Sequence, residues 1–184
     1  MLDSGVTAAE DVLVADYVDL TGSNNENPFF NDGTGHGTSI ASLIGASGIG
    51  DMDGIAPGAD IYDVKVLDGS NTAPLSKIIE GIYWCIDNDM DIINMSFGTT
   101  MYSASLEQAI DAAVEDGIIV VAAAGNNGAE AANIDYPAAF DNVISVGASN
   151  GNNAMTDFTS RGEGIDILAP GEKIWSYGAF AGLW

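Results

Sequence analysis

The sequence has one cysteine, one histidine and four basic residues among 184, and each scarcity closes off a class of function. A single cysteine, Cys85, can form neither an internal disulfide nor a thiolate metal cluster, and a single histidine, His36, excludes a histidine-rich metal site. Lys65, Lys77, Arg161 and Lys173 stand against 27 acidic residues, giving a formal net charge of -23. A nucleic-acid binder needs a basic surface to neutralise phosphate, and an anionic membrane repels an acidic one, so the charge argues against both partners. It leaves room for cationic substrates. No apolar run reaches the roughly 18 residues that would mark a membrane span.

What is present is enough for a core. Apolar residues make up 47% of the chain against 17% charged, a balance that folds rather than stays disordered, and the length is that of one ordinary domain. No repeat or linker divides it, so residues 1–184 are expected to form a single domain. Strand-like apolar runs at Ile61–Leu67, Asp91–Met95, Ile118–Ala124, Val143–Val146 and Ile165–Leu168 alternate with helical patterns. Ser76–Ile86 places Ile78, Ile79, Ile82, Cys85 and Ile86 on one face, and Ser103–Asp116 does the same with Leu106, Ile110, Ala113 and Val114. The alternation predicts an α/β domain with a largely parallel sheet. Ser105 followed by Gln108 predicts a capping box, and Gly117 a helix stop. The stretches Gly22–Gly35, Gly125–Ala132 and Asn150–Asn153 read as loops.

Three local patterns are set aside. Cys85 falls on the apolar face of its helix, where core packing is the better reading. The run from Asp87 to Asp91 starts like a calcium-binding loop, but Ile92 and Gly98 stand where glycine and a bidentate glutamate are required. Gly33-Thr34-Gly35-His36-Gly37 has the glycines of a dinucleotide site at the wrong spacing, preceded by the loop-like Asn27–Asp32 in place of a strand.

His36 therefore needs another explanation. It opens Thr38–Gly45, whose small and aliphatic residues suit a helix packed closely on a sheet. A carboxylate at a strand end can hold an imidazole in one tautomer, and Asp3 in Leu2-Asp3-Ser4-Gly5-Val6 is a candidate, although Asp-Ser-Gly is equally a plain turn. The run Ile118–Gly128 is a strand that empties into Asn126, a neutral donor at the ligand-facing end of a parallel sheet.

With these residues in place, the chain resembles the subtilisin-like serine proteases. Leu-Asp-Ser-Gly-Val is similar to the family's aspartate motif, Gly-His-Gly-Thr-Ser-Ile-Ala to its histidine motif and Ala-Ala-Gly-Asn-Asn-Gly to its oxyanion motif, in the same order and at similar spacing. Gly54-Ile55-Ala56-Pro57, Val64-Lys65-Val66-Leu67, Ile93–Gly98, Tyr136-Pro137-Ala138 and Leu168–Gly171 extend the likeness through the chain.

The resemblance implies a three-layer α/β fold with a largely parallel central sheet flanked by helices. It implies that Asp3 orients His36, that His36 is the general base toward a serine, and that Asn126 donates to the oxyanion beside Gly125. Ser96, Phe97 and Gly98 become one wall of a cleft for an extended peptide, Asn71, Thr72 and Ala73 the opposite edge, and Leu67 part of a pocket farther from the cut. Asp135 falls near the base of the pocket for the side chain before the scissile bond, where a carboxylate attracts lysine or arginine; a solvent-facing or backbone-capping role competes. No cofactor is implied for catalysis. A structural calcium is compatible with the family, with Asp51 and Asp53 in the loop after the histidine helix, although two solvated carboxylates explain that loop as well. The family is often secreted, and the acidic charge agrees with that address.

The serine motif is the departure. In the family it falls beyond the position corresponding to Trp184, so the sequence is expected to be a piece, incomplete at both ends, of a longer endopeptidase, and inactive alone. A catalytically silent peptide-binding module is the alternative. Gly37-Thr38-Ser39-Ile40-Ala41 spells the serine motif literally, but read so it leaves Asp3 and Asn126 unexplained, and Ser39 is expected to be a packing residue.

Overall fold

In the computed structural model the described residues are 1–7, 11–23, 31–50, 52–130 and 133–178; Asp51, Ala131, Ala132, Trp184 and most of Asn27–Asp32 lie outside them. The chain forms two compact units, one comprising Met1–Gly81 with the segment that begins at Trp175, the other Ile82–Ile174.

In the first unit, strand β3 (Ile61–Lys65) runs between β1 (Leu2–Asp3) and β2 (Val14–Asp19), parallel to both. Leu2 pairs with Val64 and Asp3 with Lys65, so the chain leaves the sheet directly after Asp3. The strand β2 carries Asp16 and Asp19 and has no fully buried residue, so its sequence lacks the apolar run by which the other strands are legible. Helix α1 (His36–Gly45) buries Gly37, Thr38, Ser39, Ala41, Ser42 and Gly45, and small side chains are what allow that close seat. The core here gathers Met1, Val6, Val12, Ala41, Ala46 and Ile61, with Tyr177 packed against it. Tyr177 is also tied by hydrogen bonds, its hydroxyl donating to Asp11 Oδ2 at 2.6 Å and its amide to Ser42 Oγ at 3.0 Å.

In the second unit, β4 (Ile92–Met95), β5 (Ile119–Ala123), β6 (Ile144–Ser149) and β7 (Ile167–Pro170) lie side by side in that order, every pair parallel. Burial alternates along β4, β5 and β6, so Ile93, Met95, Val120 and Ala122 are buried while Ile92, Ile119 and Ile144 are exposed. Helix α3 (Ala104–Glu115) buries Leu106, Ala109, Ile110 and Ala113. Continuous apolar runs predict strands covered on both faces; among the described residues the alternate positions of β4, β5 and β6 are exposed at the first residue and half-buried beyond it.

Both helix ends follow known cap chemistry, with one correction. The N-cap of α3 is Ser103, whose side chain accepts from Leu106 N, so Ser105 lies inside the helix and forms no capping box. The stop at Gly117 stands. Its φ of 93° places Gly117 N on Val114 O and Ile118 N on Ala113 O, a Schellman closure. Helix α2 (Leu75–Asp87), inside which the division between units falls, ends in the same way on Asp89, at φ 54°. Met90 N bonds Cys85 O and Asp89 N bonds Ile86 O, so the run from Asp87 to Asp91 is a helix terminus. Cys85 is buried, and burial pushes its thiol up to about 11, which keeps it protonated and inert.

Candidate active site

The end of β1 and the start of α1 bring Asp3 and His36 into contact. His36 Nδ1 donates to Asp3 Oδ1 at 2.6 Å, and Ser4 N donates to the same oxygen at 2.7 Å. Asp3 is fully buried, whereas the His36 side chain is 36% exposed. With Nδ1 committed, Nε2 is the nitrogen left for proton transfer. The bond to Asp3 pushes the imidazole above its ordinary pKa; burial opposes the rise, and the negative charges of Asp3 and Asp32 add to it. A turn reading of Asp-Ser-Gly accounts for none of this contact.

Asp32 is the residue that sequence reasoning missed. It is buried, and its Oδ1 accepts from Ser4 Oγ at 2.9 Å, Gly35 N at 2.9 Å and Thr34 N at 3.0 Å. Its Oδ2 accepts from Thr38 N at 2.9 Å and Thr38 Oγ1 at 2.7 Å. Burial alone would raise its carboxyl; the bonds from Thr38, Thr34 and Gly35 outweigh burial and hold it below the usual value. Beneath the site, Lys65 is buried with its ammonium donating to Ser4 O and, at 2.8 Å, to Asn31 O, and this cation pins the chain on either side of the dyad.

Ser39 stands apart from the Asp3–His36 contact. It lies inside α1, buried, with its hydroxyl 2.5 Å from that of Ser176. Leu67 is buried two residues beyond β3, and Asn71, Thr72 and Ala73 are exposed or half-exposed. That stretch is shaped by Asp68, whose Oδ1 accepts from Ser70 N and Thr72 N, and Asn71 takes φ 55° in the turn. Thr34 Oγ1 donates to Asn71 Oδ1 at 2.8 Å, which links the stretch to the loop before His36.

In the second unit, Asn126 is exposed at the end of β5, after Gly125 at φ 103°. It borders a cavity of about 290 Å³ together with Asn94, Ser96, Gly125 and Gly171. Buried Ser160, also not singled out in the sequence, holds this turn from both sides: its amide donates to Gly125 O at 2.9 Å and its hydroxyl accepts from Asn127 N at 3.0 Å. Asp135 is buried and accepts from Asn127 Nδ2 at 2.8 Å. A Cβ on Gly98 would stand 2.8 Å from Asp135 Cβ, and one on Gly125 would overlap its Oδ2, so the carboxylate lies against both glycines. Solvent does not hold it. Burial raises its pKa and the bond from Asn127 opposes the rise. Phe97 and Ser96 are half-buried beside exposed Gly98.

The carboxylate of Asp53 lies against Gly48, and the described residues assemble no group of three or more acidic, histidine or cysteine side chains able to hold the structural calcium that the resemblance allows. Among the described residues no helix is long and apolar enough to cross a membrane.

Residues 2–182 match the model of the Subtilase family. The chain belongs to that family. It is 41% identical over 193 residues to Subtilisin E of Bacillus subtilis (strain 168), covering 99% of this chain and 50% of that protein. Against Minor extracellular protease Epr of the same strain it is 40% identical over 178 residues, covering 96% of this chain and 27% of that protein. The crystal structure of a cold adapted subtilisin-like serine proteinase superposes with a TM-score of 0.86 at 28% identity, covering 100% of this chain and 66% of that one. The chain thus spans about half or less of the length of these two curated relatives, and the α/β fold with parallel strands is that of a subtilase.

Proposed function

We propose that the protein to which this subtilase sequence belongs is a serine endopeptidase that hydrolyses peptide bonds in extended polypeptides. The observation that carries the reading is the 2.6 Å bond between buried Asp3 and His36. Asp3 orients the ring and stabilises its protonated form, while His36 Nε2 takes the proton of a serine hydroxyl and returns it to the leaving amine. Asn126 donates to the oxyanion of the tetrahedral intermediate; removing such a donor in a subtilisin costs about 10²–10³ in rate. Ser96–Gly98 and Asn71–Ala73 pair with the substrate backbone, Leu67 lines a pocket farther from the cut, and Asp135 at Gly98 and Gly125 selects a cationic side chain before the scissile bond. A secreted address fits the extracellular relative and the acidic charge. A silent binding module would need no Asp3–His36 bond.

The nucleophile is assigned outside the 184 residues, in a Gly-Thr-Ser segment of the extended protein. In that protein His36→Ala is expected to lower turnover by several orders of magnitude, and Asn126→Ala to reduce turnover while changing substrate binding far less. Near-normal rates in both variants would sink the assignment. The 184-residue chain alone should neither cleave unfolded casein nor take a serine-directed phosphonate; label on Ser39 would move the nucleophile into α1.

A further inference from the structure

On the reading of Asp3 and His36 as orienting acid and base, we propose that Asp32 is a positioning residue for His36, the carboxylate that fastens the start of α1 to the chain leaving β1. The N-cap position of α1 is Gly35, at φ 86°, and no side chain at that position caps the helix. The first turn of a helix exposes amides that need acceptors. Asp32 supplies them, taking Gly35 N on one oxygen and Thr38 N on the other, so both lie on the turn that carries His36.

The strand side is fastened to the same carboxylate. Ser4 follows Asp3, and its hydroxyl donates to Asp32 Oδ1 while accepting from Gly37 N at 3.0 Å. Asp3 and His36 are therefore joined twice, once directly and once through Ser4, Asp32 and the helix amides. Thr38 extends the frame, its Oγ1 donating to Asp32 and accepting from Thr7 N at 2.9 Å. The ionisable groups acting on the imidazole are Asp3 from β1 and Asp32 from the loop before α1; the nearby cation of β3, Lys65, is turned to Ser4 O and Asn31 O. Asp32 thus also adds negative charge that favours the imidazolium formed during proton transfer.

Because His36 is the only histidine, its titration and its Nδ1 proton can be followed by NMR in the 184-residue chain with no peptidase activity required. Asp32→Asn keeps the shape, removes the charge and turns a donor toward amides that need an acceptor. The expected result is a lowered His36 titration, with the Nδ1 proton exchanging with solvent several-fold faster while far-UV dichroism is retained. Ser4→Ala cuts the strand-side tie and leaves the charge, so it should speed exchange with a smaller change in titration, and it decides the matter if Asp32→Asn does not fold. Unchanged titration and exchange in the folded variant overturn the proposal. In the extended protein Asp32→Asn should lower kcat more than it changes KM; NMR changes without any effect on kcat would count against the peptidase reading and leave the positioning of His36 standing.

Discussion

Gly37 lies so close to Gly5 that a Cβ built on it would overlap Gly5 O and stand 3.2 Å from Asp3 Oδ1. The helix that begins with His36 is seated on the backbone of the loop that leaves Asp3, and only a residue without a side chain permits that seat. Gly37→Ala forces the two backbones apart. We expect a loss of about 1–3 kcal/mol in urea unfolding, together with a weakened Asp3–His36 bond seen as a lowered His36 titration. An alanine variant of unchanged stability and unchanged titration would show that the approach is looser than this.

His36 should titrate above the ordinary 6.5, chiefly because Asp3 holds its Nδ1 proton. A histidine whose folded pKa is raised contributes stability that is complete below pH 6.5 and is lost as pH rises through the folded value. In the proposed peptidase His36 must be neutral to act as the base, so the acid limb of that profile should lie above pH 6.5. Asp3→Asn should move the NMR titration of His36 downward, and a titration at or below 6.5 in the unaltered chain would contradict the assigned bond.

A third expectation concerns Asp63, which is buried in β3 and accepts from Val6 N at 2.9 Å and Asn31 Nδ2 at 3.2 Å. Burial is the larger influence and raises its pKa from 3.8 to about 6. The unfolded chain then releases this proton more readily than the folded one, so stability present below 3.8 is lost as pH rises toward 6. Asp63→Asn keeps an acceptor and removes the charge. It should stabilise the chain by about 1–3 kcal/mol at about pH 8 and by nothing measurable at about pH 3.5, a difference that urea titrations at the two pH values will read.

The proposed peptidase specificity assigns the side chain before the cut to Asp135. In the extended protein, Asp135→Gly should selectively lose cleavage after arginine and lysine in a peptide library, with large apolar residues unaffected or improved. The structural alternative is that Asn127 alone needs the carboxylate. An unchanged cleavage profile accompanied by lower stability would establish that alternative.

The α/β class, the strands from β3 to β7 and the helices α1 to α3 were legible in the sequence, because apolar periodicity is a local property that burial imposes on each element. The acidic, partly exposed β2 was not legible, since its membership of the sheet comes from pairing with β3 and leaves no apolar signature. Asp3, His36 and Asn126 could be named from their flanking residues, for the small neighbours that let backbones approach are written beside them. That Asp3 meets His36 at 2.6 Å was decided by tertiary structure, because the geometry depends on where β1 ends against Lys65 and how α1 begins. Asp32, Ser4 and Ser160 carry no local signal of their work: aspartates and serines are common in loops, and only the folded chain shows which backbone amides each one holds. The sequence by itself determined which groups are available and how small the residues around them must be. The fold decided which carboxylate reaches the imidazole and which reaches the helix amides, because a hydrogen bond depends on distance and direction that residues far apart in the chain acquire only when packed.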